Sequence, residues 1–241
     1  MGFLDLPAPV FSAMDGVLGM LPAFLRLSLW AVITAVISMF LYWRCSAQEK
    51  VGRAKERAVT ARKKMATYDG HEFDEMWPLA RESLAASAKH FTVVLGPAVL
   101  SSVPALMLII WVSNHFSYTL PEAGAMISLE ATPENALALK QIEWPGDNSP
   151  VEVQDSGGKP LFSLPLPAAV PVVHKKAWWN SLIGNPNGYL GEDASAAEVR
   201  LDLPRVSYLN FGPGWVRTWE FSYFLVLIIC SLGIKVTFRI H

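Results

Sequence analysis

Three stretches of this sequence carry no Asp, Glu, Lys or Arg: residues 27–43, 91–112 and 221–234. A straight helix needs about 20 apolar residues to cross a hydrocarbon core about 30 Å thick. The second stretch supplies 22 residues. The first supplies 17, extended by the apolar flank at 21–25. The third is shorter, but Trp215 and Trp219 precede it and Lys235 and Arg239 follow it. Local bilayer thinning and snorkelling side chains accommodate a short span. Three membrane helices are therefore expected.

The remaining sequence is polar in two different ways. Charged residues make up only 17% of the chain, against about 25% in a typical soluble protein. Most of them fall between the apolar stretches. Residues 44–89 hold ten Lys or Arg, while residues 1–25 hold none. Residues 113–217 hold seven, against eleven Asp or Glu. Short loops rich in Lys and Arg stay in the cytoplasm. The expected topology is N-terminus out, residues 45–90 in, residues 114–217 out and C-terminus in. The expected location is a membrane such as the bacterial inner membrane. The net charge of −1 gives no reason to expect direct nucleic-acid binding.

The expected fold class is an α-helical membrane protein with three transmembrane helices, a cytoplasmic helical hairpin and an inserted β-sandwich-like extracytoplasmic domain. Residues 1–22 form an interfacial amphipathic segment. Phe3, Leu4, Leu6, Phe11, Met14, Val17, Leu18 and Leu21 recur at roughly helical spacing, with Asp5 and Asp15 off that stripe. No cleavage site follows the first apolar run, so it reads as an uncleaved span. The spans are placed at 23–44, 91–113 and 218–236, with a tail at 237–241. Trp43 and Arg44 are expected to anchor the inner edge of the membrane. Trp111, Trp215 and Trp219 are expected to anchor the outer edge.

Within 45–90, residues 46–67 are rich in strong helix formers. Tyr68-Asp69-Gly70 makes a turn, and 72–90 forms a second helix with Pro78 in its first turn. The apolar stripe is thin: Val51, Ala54, Val59, Ala61 and Met65 on one arm. Phe73, Met76, Trp77, Leu79 and Leu84 lie on the other. Such a hairpin is either an arm for a ribosome, a nascent chain or lipid headgroups, or a solvated basic loop near anionic lipid.

Residues 114–217 read differently. Short runs at 125–131, 138–144, 151–154, 161–166, 169–174, 198–203 and 206–211 have strand character. Turn clusters separate several of them: Pro145-Gly146-Asp147-Asn148, Asp155-Ser156-Gly157-Gly158 and Gly184-Asn185-Pro186-Asn187-Gly188. Trp178-Trp179 is expected in the core, with an exposed contact patch as the alternative.

No enzyme chemistry is legible. His71, His90, His115, His174 and His241 lie on different segments without metal-ligand spacing. No phosphate loop or nucleophile motif is present. No metal, cofactor or catalytic residue is expected. Cys45 and Cys230 cannot form a disulfide framework. Cys45 is expected as an unmodified interfacial thiol, acylation being the alternative.

What the spans do hold is small polar groups. Thr34 and Ser38 share one face of the first span at i, i+4, and Thr92 opens the second from the same side. These three, widened by a bend at Gly96-Pro97, could line a wet inner vestibule; packing through small residues is the alternative.

The layout resembles the Oxa/YidC insertase superfamily, and within it the archaeal YidC-like proteins and the third subunit of the ER membrane protein complex. The resemblance rests on several features. They are the amphipathic lead, Leu41-Tyr42-Trp43-Arg44 closing the first span, the charged hairpin, the Pro-containing second span, and Gly214-Trp215 before a last span ending in Lys235 and Arg239. It covers about residues 1–115 and 212–241. It implies ATP-independent insertion of other proteins' transmembrane helices through a groove open to cytoplasm and lipid. The partners implied are nascent membrane proteins, lipids and, through the hairpin, the ribosome. Three departures stand out. The groove arginine of the family has only Arg26 as a candidate, and Arg26 lies about 27 Å along a helix from Arg44. That spacing makes it an outer-edge anchor rather than a groove charge. An outer insertion of roughly 100 residues separates the last two spans. The C-terminal tail is short. A repurposed structural or assembly subunit of a larger membrane complex, docking through the outer domain, is the alternative function.

Overall fold

The computed structural model describes residues 1–70, 73–146 and 150–239. Five α-helices run through them: α1 (Ala8–Val17), α2 (Ala23–Cys45), α3 (Gln48–Ala66), α4 (Phe73–Phe116) and α5 (Trp219–Thr237). Six strands lie between α4 and α5: β1 (Met126–Thr132), β2 (Gln141–Glu143), β3 (Val151–Gln154), β4 (Pro160–Leu164), β5 (Val172–His174) and β6 (Glu198–Leu201). The fold is mostly helical with a small antiparallel sheet region. The expected helix start at Glu72, His71, the Asp147-Asn148 turn and His241 lie outside the described residues.

Helices α2, α4 and α5 are each long and apolar enough to cross a membrane. Only 28%, 11% and 11% of their most apolar windows are buried inside the protein. In water, such exposed apolar surface would drive aggregation; in lipid it is the required exterior. Helix α4 has 44 residues, about 66 Å at 1.5 Å per residue. The second arm of the hairpin and the second apolar stretch are thus one uninterrupted helix. It runs through Pro97 and Pro104, and Pro78 stands inside it rather than in its first turn.

The chain divides into two compact units, and each of the three long helices contributes to both. The first unit comprises Met1–Trp30 and Leu106–Leu225. Its sheet has the order β2-β1-β6-β5, and β3 and β4 form a separate two-stranded ribbon. All pairings between these strands are antiparallel. Alternation along β1 sends Ile127 and Leu129 inward. Leu129 lies opposite Leu201, and Val173 opposite Val199. Val153 and Leu164 from the ribbon join the same core, closed by Trp144, Leu166 and Leu190.

Two expectations about this region need correction. Residues 206–211 form no strand. Val206 N–H donates to the Ser117 carbonyl (3.0 Å) and Tyr208 N–H to the Arg217 carbonyl (2.8 Å). The segment therefore spends hydrogen-bonding groups on the exit of α4 and the entry to α5, between Pro204 and Pro213. Trp178 and Trp179 are not core residues: Trp178 is 83% exposed and Trp179 40%.

The Asp155 turn shows how side chains pin this domain. Its Oδ1 accepts the N–H groups of Gly157 and Lys159, both at 2.9 Å. Its Oδ2 accepts the Ser195 hydroxyl at 3.0 Å. Gly158 completes the turn at φ +81°, where only glycine sits without strain. The Lys159 N–H, with Ser195 and Gly157, holds the Asp155 carboxyl below its ordinary value of 3.8, burial opposing them. A depressed carboxyl contributes stability above its unfolded pKa and loses it as pH falls through its folded pKa. Asp155→Asn should therefore lower the Tm of the full-length protein at neutral pH. The Tm gap from the parent should then close as pH drops below 3.8. Thermal melts followed by circular dichroism across that range check this; a gap independent of pH would contradict it.

The second unit comprises Ala31–Ala105 and Val226–His241. In it α3 buries Val51, Ala54, Ala58 and Ala61, a 3-4-3 spacing that makes one helical stripe. Val59 and Met65, expected on that stripe, are exposed. Ala58 takes the inward position because it completes the period. On α4 Ser83 is buried, while Phe73, Met76, Trp77 and Leu84 are exposed. Lys64 and Glu82 join the two arms at 3.5 Å.

Candidate functional site

The densest polar constellation lies in the first unit, where α1 meets the start of α2 and the end of α4. Asp15 is buried on α1. Arg26, in the first turns of α2, approaches it with two nitrogens: Nε donates to Oδ1 at 3.1 Å and Nη2 donates to Oδ2. One turn further along α2, Trp30 Nε1 donates to the same Oδ1 at 3.0 Å. The carboxylate thus receives three donors, and a fork-to-fork geometry fixes the guanidinium plane. The Arg26 guanidinium also lies over the Phe116 ring, 5.4 Å from its centroid.

An aromatic wall surrounds this pair. Trp30 and Trp111 pack with centroids 4.7 Å apart, and Phe11 meets both edge-on. Trp111 Nε1 donates to Ser12 Oγ at 2.9 Å, and Ser12 Oγ lies 3.2 Å from His115 Nε2. Tyr208 donates its hydroxyl to the Phe116 carbonyl at 2.9 Å. Burial pushes the Tyr208 phenol far above its usual range; Arg26 opposes that shift and Asp15 adds to it.

This arrangement corrects the surroundings expected for Asp15, which lies off the apolar stripe but not in water, while the stripe residues Leu6, Met14 and Val17 stay exposed as an interfacial face requires. The acid points inward, and Leu6, Val10, Met14 and Val17 point outward. The reason is chemical: a buried carboxylate is tolerated where donors await it, and α2 and Trp30 supply them. Beside the cluster opens a cleft of 370 Å³ lined by Asp5, Trp111, Asn114, His115 and Tyr189.

No protein-family model, curated protein or solved structure matches this chain.

The structure separates the expected groove residues. Arg26 is committed to Asp15 in the first unit. Thr34, Ser38 and Thr92 belong to the second. Thr34 is fully buried, and the Ser38 hydroxyl is buried without a hydrogen-bond partner among the described residues. Thr92 is exposed and donates its hydroxyl to the Lys89 carbonyl at 3.0 Å. Thr34 and Thr92 thus do not share one wet surface. What the second unit offers instead is an apolar crevice of 480 Å³ lined by Val36, Met39, Phe40, Trp43, Ile234 and Phe238.

The expected anchors divide. Trp43, Arg44 and Trp215 are exposed. Trp111 and Trp219 are buried and are not lipid-facing anchors. Trp111 is consumed by the aromatic wall. Trp219 packs against Tyr223 and Phe224, with its indole N–H unpartnered among the described residues. Sequence reasoning missed Asp15, Trp30, Ser12 and His115. One signal was present: residues 6–43 contain one acid and one base, Asp15 and Arg26. An isolated opposite pair in apolar sequence calls for mutual neutralisation.

Proposed function

We propose that this chain is a membrane-protein biogenesis factor of the Oxa/YidC type, sheltering client transmembrane segments as they enter the bilayer. In this reading it sits in a bacterial inner membrane. The N-terminus and residues 114–217 face outward; residues 45–90 and the C-terminus face the cytoplasm. The observation that carries it is the apolar crevice between the ends of α2 and α5, on helices that bury little of their own apolar surface. A client segment lodged there exchanges water for apolar wall before it reaches lipid. Transfer of apolar surface, worth about 25 cal/mol per Å², supplies the driving force without ATP. The basic arm of α3, with the exposed Phe73 and Trp77 rings stacked 6.0 Å apart on α4, provides a surface for a nascent chain or ribosome.

A second reading, a structural or assembly subunit, draws support from Arg26. Its charge is already satisfied by Asp15, so it does not wait for a client's acidic residue. A photo-crosslinking amino acid at Phe40 separates the two. A biogenesis factor should yield many adducts that vanish when puromycin releases nascent chains. One stable adduct indifferent to puromycin would overturn the insertase reading and favour the scaffold.

A further inference from the structure

The segment around Trp178 is pinned by hydrogen bonds and yet presents apolar side chains outward. Its 3₁₀ turn, Trp178–Ser181, is held from inside by the buried Asn180. Ala177 N–H donates to Asn180 Oδ1 at 2.7 Å, and Asn180 Nδ2 donates to the Ile183 carbonyl at 3.1 Å. A turn built on a satisfied buried amide is a formed surface. Trp178 and Leu182 are displayed on it, both exposed.

That surface continues onto the leading segment. Leu4 N–H donates to the Leu182 carbonyl at 2.9 Å. Asp5 Oδ2 accepts Gly184 N–H at 2.6 Å and Gly2 N–H at 2.8 Å. The seam is backbone against backbone: a Cβ on Gly2 would stand 2.5 Å from the Leu182 carbonyl group. Phe3 and Leu6 are exposed beside the seam, and Val10 and Met14 extend the apolar face along α1. Five residues after α1 ends, the chain enters α2, which is apolar enough to cross a membrane. The ledge residues, α1 and the first turns of α2 as far as Trp30 belong to one compact unit.

We propose that this ledge, formed by Phe3 and Leu6 with Trp178 and Leu182, rests in the headgroup region of the bilayer that α2 crosses. The sheet domain is then seated on the membrane. Four observations select a lipid surface as the occupant. The ledge is continuous with the segment that leads into the membrane. Its most exposed side chain is a tryptophan, whose apolar body and N–H suit the lipid–water boundary. The exposed Lys176 beside it can meet lipid phosphate. The one carboxylate in the seam, Asp5, already accepts two backbone N–H groups.

The test uses the full-length protein in nanodiscs of phosphatidylcholine and phosphatidylglycerol. In a Cys45→Ser, Cys230→Ala background, an environment-sensitive fluorophore is placed on Trp178→Cys, Leu182→Cys and, as a water-facing control, Ser156→Cys. Interfacial residues lie about 5–10 Å into the headgroup boundary, so headgroup nitroxide lipids should quench 178 and 182 about threefold more than 156. Their emission should also be blue-shifted relative to 156. Quenching at 178 and 182 equal to that at 156 would overturn the proposal. So would a blue-shifted probe at 178 that lipid nitroxides do not quench, which would mean that a protein covers the ledge.

Discussion

Asp15→Leu should destabilise the protein by about 3 kcal/mol, because removing one partner of a buried ion pair leaves the other without compensation. The expected loss lies at the low end of the usual range of about 3–5 kcal/mol. The Arg26 side chain is 26% exposed, against 8% for Asp15, so it retains an escape towards water or headgroups. Arg26→Leu should cost at least as much, since it strands the better-buried charge. The double variant is the informative one. With both charges gone, the site becomes apolar among Phe11, Trp30 and Phe116, and most of the loss should be recovered. Unfolding in mixed micelles, analysed as a double-mutant cycle, should give a coupling of about 4–5 kcal/mol, because the double variant costs much less than the two single losses together. Additive losses would show that the two residues stabilise the unit separately and that the pair is not its organising contact.

The same pair shows what the sequence could and could not reveal. The three helices long and apolar enough to cross a membrane were legible because charge exclusion over 14 to 22 residues is written in composition alone. Strand positions 126–132, 151–154 and 198–201 were legible because alternation and turn residues are local signals. The inward turn of Asp15 was not, since the apolar stripe on α1 pointed to the opposite face. An interfacial stripe faces lipid and leaves the acid facing water, and nothing local to α1 shows that Arg26 and Trp30 bring donors to it. The one charged group on α1, the Asp15 carboxylate, turns towards those donors. Trp111 and Trp219 failed as anchors for a related reason. Interfacial preference places a tryptophan near a boundary without saying whether lipid or protein meets its ring. Residues 206–211 carried strand-like composition, but their backbone partners are the Ser117 carbonyl after α4 and the Arg217 carbonyl before α5 rather than a neighbouring strand. The groove residues Thr34 and Thr92 share a side of the membrane in the charge-derived topology. Helix rotation separates them, and rotation depends on packing that no single span encodes.

Trp30→Ala should be at least as damaging as loss of Asp15, at about 3–5 kcal/mol. Trp30 is 1% exposed and joins several neighbours at once. It donates to Asp15 Oδ1, packs on Trp111 and meets Phe11 edge-on. Truncation removes the ring volume from between two aromatic neighbours that are themselves fixed. Trp111 is tied to Ser12 by its own N–H, so it cannot follow the retreating surface without breaking that bond. The cavity therefore stays open, and the transfer loss and cavity loss add. Trp30→Phe separates the two contributions. It keeps most of the ring contact and deletes one charge-assisted hydrogen bond, worth about 1.5–3 kcal/mol. Because Arg26 Nε still donates to the same Oδ1, the expected loss is near the lower figure. The ranking Trp30→Ala over Trp30→Phe over parent, read from unfolding midpoints in one micelle system, is the expected result. If the two variants were equally unstable, the hydrogen bond to Asp15 would dominate and the aromatic wall would be filling rather than support. If Trp30→Phe matched the parent, Asp15 would be held by Arg26 alone.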